Sequence, residues 1–341
     1  MKKSITKIFA LLLCAAMLFA FAASGGNSDA TTSDNGETTS AESKTLKIGV
    51  IQYVSHPSLD NCFTGIDEAL KESGLSYELD RQIGSDAAAD SDCKTYAENM
   101  VAKKYDMIFA IATPAATVAY AATEGTDIPV IFCSVSDPVA AKVVESMEKP
   151  GSLCTGTSDK LDLERQVELI QAIQPKVKTI GILYTTSEAN SISQLALFKE
   201  ICEKKNIAVE ATGIQNDADI PSAAASLASK VDCINNFTDN KVVNNLSVVL
   251  NAANEAGIPV YGSEVEQVKK GCLGAASIDY VQVGKMTGQM GIDVLNGADA
   301  ATMAVKTISD TEIVINTEVL DTFKLEIPQS FADAKTVVTE K

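Results

Sequence analysis

Histidine is almost missing from this 341-residue chain, where His56 is the only one. A lone imidazole excludes every site that needs two, among them His-Glu-x-x-His zinc hydrolases and most transition-metal cages, so no metal or other cofactor is expected. Tryptophan is absent and aromatic residues make up 5% of the chain, which leaves no obvious aromatic cage. Bases are scarce, 28 against 45 acids, for a formal net charge of -17. That balance repels phosphate backbones, and nucleic-acid binding is disfavoured. No Gly-x-Ser-x-Gly elbow, Gly-x-Gly-x-x-Gly turn or Gly-x-x-x-x-Gly-Lys loop occurs, so the usual hydrolase, dinucleotide and phosphate-loop scaffolds are lacking. What remains is ordinary globular composition, 46% hydrophobic and 21% charged, in a chain long enough for two domains.

The only long apolar run is N-terminal. Lys2, Lys3 and Lys7 precede sixteen apolar residues from Ile8 to Ala23, followed by Ser24-Gly25-Gly26. The run falls short of the ~20 residues of a spanning helix and has the basic and small-residue flanks of an export signal, residues 1–24. Residues 25–44 are almost all small, polar or acidic and read as a flexible tether. The pattern resembles a lipoprotein signal in which Ser24 stands where a lipidated cysteine is expected, while Ala20-Phe21-Ala22 suits ordinary signal peptidase. An extracytoplasmic location follows, at the outer face of the cell membrane or in the periplasm. Seven cysteines survive removal of the signal and none stand in Cys-x-x-Cys spacing. Cys133 and Cys233 sit in apolar strand-like runs, and mostly free, structural thiols are expected.

From Leu46 onward, short apolar runs alternate with helical stretches, the pattern of a parallel α/β fold. Strands are predicted at 46–53, 77–80, 107–112 and 128–133, with helices at 58–73, 86–104 and 114–123 between them. Pro150-Gly151 breaks the rhythm, which restarts with helices at 162–173 and 191–205 and strands at 179–184, 207–212 and 231–235. The expected fold class is therefore α/β with two doubly wound parallel-sheet lobes. In open parallel sheets ligands bind beyond the carboxyl ends of the strands. Those ends carry Tyr53 to His56, Thr113-Pro114-Ala115, Ser134 to Pro138, Thr185 to Ser191, Phe237 to Asn240 and Tyr261 to Glu264. Their Ser, Thr, Asp and Asn residues also suit helix caps, and a helix start that offers N–H groups to a cap offers them equally to a carboxylate.

Six stretches in order, His56-Pro57-Ser58-Leu59-Asp60, Ala112-Thr113-Pro114-Ala115-Ala116, Ser136-Asp137-Pro138, Glu188-Ala189-Asn190-Ser191, Thr238-Asp239-Asn240 and Asp279-Tyr280, resemble the ABC transporter substrate-binding family that includes tryptophan- and phenylalanine-binding members. Family members usually have glycine where Ala112 stands. The resemblance implies a type I periplasmic-binding-protein fold with hinge crossovers, lobe 1 at 45–157 plus 280–308 and lobe 2 at 158–279 plus 309–341. It also implies an ABC permease as partner, a small-molecule ligand, a monomer and no catalysis.

An amino-acid ligand requires compensation of both its charges, because an unpaired buried charge costs several kcal/mol. Thr113, Ser136, Asn190 and Ser191 offer donors at helix starts, and Asp239 is the expected partner of the ammonium, with Glu264 as competitor. Asp137, before Pro138, also suits a turn. Tyr53, His56 and Tyr280 are candidates for a wall against an aromatic or other hydrophobic side chain, and Pro114, Ala115 and Asn240 complete the expected ligand-binding set. Two other functions fit less well: a ligand-sensing receptor on the same fold, and an exported hydrolase working through His56.

Overall fold

The computed structural model describes residues 44–308 and 310–340. The expected export signal, and all of the expected tether except Lys44, lie outside the described residues. The chain begins β1 (Leu46–Gln52), α1 (Pro57–Glu72), β2 (Tyr77–Ile83), α2 (Ala89–Ala102), β3 (Met107–Ile111), α3 (Thr113–Thr123), β4 (Val130–Cys133) and β5 (Cys154–Ser158). It continues α4 (Leu163–Ile173), β6 (Thr179–Thr185), α5 (Ala189–Lys204), β7 (Ala208–Ile214), α6 (Ile220–Ala228), β8 (Cys233–Asn235), α7 (Asn240–Asn244), α8 (Leu246–Ala256), β9 (Val260–Tyr261), α9 (Val265–Lys269) and β10 (Gly274–Ser277). The last elements are α10 (Tyr280–Leu295), β11 (Lys306–Thr307), β12 (Glu312–Asn316), α11 (Thr317–Thr322) and β13 (Lys335–Val337).

One sheet runs β11-β5-β4-β3-β1-β2 and a second runs β7-β6-β8-β9, every pairing in both being parallel. A third, β10-β12-β13, carries an antiparallel pair. Strands β3 and β4, MIFAI and VIFC, are buried at every residue, as strands covered by helices on both faces must be. Edge strands β2 and β7 are only partly buried, which is why their sequences look polar. One hydrophobic core draws on residues between Ile48 and Cys154 and again between Ile278 and Ile292, while two others draw on Leu161 to Phe331. The chain therefore passes between two sets of layers after β5, before α10 and before β12. The family resemblance implies a first crossover near Thr155 to Ser158; those residues are instead a strand of the first sheet, and the crossover follows it.

Helix α10 returns to lie against α1, and the approach is close. A Cβ placed on Gly284 would stand 2.1 Å from the carbonyl oxygen of Cys62, and one on Gly65 would stand 2.1 Å from that of Val281. Backbone cannot yield as a flexible side chain can, so only glycine fits at either point. The seven described cysteines are all free and buried. No helix among the described residues is long and apolar enough to cross a membrane.

Candidate functional site

The carboxyl ends of the strands from both large sheets converge on a narrow cleft whose walls are drawn together around a cavity of about 10 Å³. That is far below the volume of a filled small-molecule site, so a ligand enters only when the two halves part. Its wall comprises His56, Ser58, Leu59, Ala112, Thr113, Ser134, Ser136, Asp159, Asn190, Thr238, Asn240, Val243, Glu264 and Tyr280. Hydrogen bonds join the two halves around it: Ser58 Oγ donates to Glu264, His56 Nε2 lies 3.4 Å from Asn240 Oδ1, and Gln194 Nε2 donates to Ser136 Oγ at 3.0 Å.

Among the helices that begin at this wall without a side-chain cap are α1 and α3. Helix α1 follows His56 with Pro57 in its first turn, and α3 follows Ala112 with Pro114 in its first turn. Proline suits these positions because the first helical N–H groups lack an intrahelical acceptor in any case. The N–H groups of Ser58, Leu59 and Thr113 are thus left without an intrahelical acceptor at the positive ends of two helix dipoles. The path into α3 is strained: Ala112 has φ 81° and ψ 154°, a region that glycine alone enters freely. Ala112→Gly is accordingly expected to raise stability by roughly 1 kcal/mol, after the added freedom of glycine in the unfolded chain is subtracted. A thermal melt no higher than that of the wild type would contradict this.

The acids of the site differ in what occupies them. Asp239 caps α7 and accepts from Thr185 N (2.6 Å), Thr185 Oγ1 (2.8 Å), Ser191 Oγ (2.7 Å) and Val242 N (3.0 Å). Four donors fill its two oxygens, and the residue is off the cavity wall. Asp159, directly after β5, is 3% exposed and accepts from Ser134 Oγ (2.7 Å), Ser136 Oγ (2.9 Å) and Tyr280 OH (3.3 Å). Burial raises its pKa above the ordinary carboxylate value, and the three hydroxyls oppose that rise. None of the ion pairs among the described residues involves Asp159. A buried carboxylate without a countercharge is costly, and a cation delivered by a ligand removes that cost.

Glu264 is pushed up to about 7 by burial, against the lowering effect of hydrogen bonds from Ser58 and Gln267. It holds its proton more tightly folded than unfolded, so its contribution to stability is largest below its unfolded value. That contribution declines as pH rises towards about 7 and is level above. Burial moves Glu188 and Asp159 the same way. Glu264→Gln should remove part of the fall in melting temperature between about pH 5 and pH 7; an unchanged slope would contradict the assignment.

Of the thirteen residues expected at the site, His56, Thr113, Ser136, Asn190, Asn240, Glu264 and Tyr280 share the cavity wall, and Tyr53, Pro114, Ala115, Asp137, Ser191 and Asp239 do not. Tyr53 is turned away, its OH donating to Asp90 Oδ1 at 3.0 Å. Asp137 accepts from Ala140 N in a turn. Ser191 is consumed by Asp239, and Pro114 and Ala115 serve the helix start. Asp159 was not among the expected residues. An acid immediately after a buried run at a crossover was its only signal in the sequence.

The chain matches the family described as ABC transporter substrate binding protein over residues 47–338. It is 37% identical over 327 residues to a tyrosine-binding protein of Clostridioides difficile (strain R20291), covering 95% of this chain and 93% of that one. A domain from Streptococcus pneumoniae solved in complex with L-Trp superposes with a TM-score of 0.82 at 35% identity, covering 86% of this chain and all of the other. A ligand-free, open substrate binding protein with adhesive properties from Clostridium difficile gives 0.66 at 36% identity, covering 87% of this chain and all of the other. At equal identity, the arrangement here is nearer to that of the ligand-bound relative.

Proposed function

The chain belongs to the ABC transporter substrate-binding protein family, and on that premise we propose that its cleft captures a free aromatic amino acid outside the cell membrane for an ABC permease. The observation that carries this reading is Asp159, a buried carboxylate on the cavity wall with three hydroxyl donors and no cationic partner among the described residues. The ligand ammonium pairs with Asp159, and the ligand carboxylate takes the free N–H groups at the starts of α1 and α3. Leu59, Val243 and Tyr280 give the side chain its apolar wall. Of the relatives named above, one is a tyrosine-binding protein and one was solved in complex with L-Trp, which supports a ligand of that size and charge.

Hinge opening admits the ligand, and closure shields both of its charges from water. No bond in the ligand is made or broken. Calorimetric screening of the twenty amino acids against the mature chain tests the reading: an aromatic amino acid is expected to bind at one site and be recovered chemically unchanged. Binding of none of them, or turnover of any, would refute it.

A further inference from the structure

Two polar atoms of cavity-wall residues, His56 Nδ1 and Asn190 Oδ1, are buried and have no hydrogen-bond partner among the described residues. The network behind them fixes what each needs. Glu188 Oε2 accepts from Asn240 Nδ2 at 2.6 Å and from Asn190 Nδ2 at 3.2 Å, and Asn190 Nδ2 donates also to the carbonyl oxygen of Thr238 at 3.0 Å. The Thr238 carbonyl, which can only accept, fixes the Asn190 amide with its NH2 inward and its oxygen outward, and Asn240 turns its NH2 to the same Glu188 oxygen. Asn240 Oδ1, an acceptor, lies 3.4 Å from His56 Nε2, so Nε2 carries the ring proton. The imidazole is neutral, because burial lowers its pKa to about 4. Nδ1 is then a bare lone pair, as is Asn190 Oδ1. Two unsatisfied acceptors thus belong to residues of the cavity wall, 8% and 3% exposed, and a donor on a ligand would satisfy one of them or be shared by both.

We propose that His56 and Asn190 select the ligand by its side chain, accepting a hydrogen bond from an aromatic ring that carries a donor, a phenol O–H or an indole N–H, and rejecting phenylalanine and the branched aliphatics. The inference rests on the amino-acid reading of the cavity and narrows it. A ring without a donor leaves both acceptors buried and unpaired, and sites built to bond a polar group discriminate strongly against its absence.

The test is calorimetry of L-tyrosine, L-tryptophan, L-phenylalanine and 4-fluoro-L-phenylalanine on the unaltered mature chain, the fluoro compound matching tyrosine in shape without a donor. Tyrosine or tryptophan is expected to bind roughly 10- to 100-fold more tightly than either donor-free ring, and which of the two prevails identifies the donor. Phenylalanine or its fluoro analogue binding as well as both would overturn the proposal. His56→Phe and Asn190→Ala, tested separately, should each shrink the margin between tyrosine and phenylalanine. An equal loss for all four ligands would instead place these acceptors on the ammonium and overturn the side-chain role. If no amino acid binds, the reading of the cavity fails with it.

Discussion

Replacing Asp159 by alanine is expected to weaken capture of an aromatic amino acid by about 10²- to 10³-fold, the loss that follows when one partner of a buried charge pair is removed. The effect should be large because the carboxylate is 3% exposed and its oxygens are already aligned by Ser134, Ser136 and Tyr280. In the variant the ligand ammonium would enter the same space facing three hydroxyls and no charge. Stability should move the other way or hardly at all, since the empty protein loses a carboxylate that burial disfavours. Calorimetry and a thermal melt on the same sample separate the two effects. Asp239→Ala gives the contrasting pattern: Asp239 ties Thr185, Ser191 and the start of α7 together, so its loss should lower the melting temperature first. Undiminished affinity in Asp159→Ala would move the ammonium site elsewhere.

The second large effect is on the fold. Gly284→Val should destabilise the protein by about 3 kcal/mol or more, because the new Cβ would meet the carbonyl oxygen of Cys62 at 2.1 Å and its carbonyl carbon at 2.8 Å. Neither helix can shift a main-chain atom without moving bodily, so α1 and α10 must separate. Since α1 supplies His56, Ser58 and Leu59 to the cavity and α10 supplies Tyr280, weaker ligand binding should accompany the lower melting temperature. A melt within a degree or so of the wild type would show that the helices are less tightly packed than described.

Much of the frame was legible from the chain itself. Continuous apolar runs such as MIFAI and VIFC announced central parallel strands, and the strand-end rule led to the loops that carry eight of the cavity residues. Two kinds of element were not legible. Strands β5 and β10, CTGTS and GAAS, are buried without being strongly apolar, since their small residues fit where neighbouring layers approach closely. Reading β5 as a crossover ended that segment one residue before Asp159. Nor does sequence distinguish an acid that caps a helix from one that awaits a ligand. Asp239 has the cap pattern and is fully occupied by Thr185, 54 positions earlier, and Ser191, 48 positions earlier. Tyr53 likewise stands at a strand end, but its hydroxyl is taken by Asp90, 37 positions later. These decisions belong to tertiary partners.

The central claim is that a buried acid in the cleft pairs with the ammonium of a captured amino acid. The most direct measurement compares, by calorimetry on the mature chain, L-tyrosine with 3-(4-hydroxyphenyl)propionate, which keeps the ring and carboxylate and lacks only the amine. The account predicts at least about 100-fold weaker binding of the amine-free compound. Equal affinity for the two would contradict it.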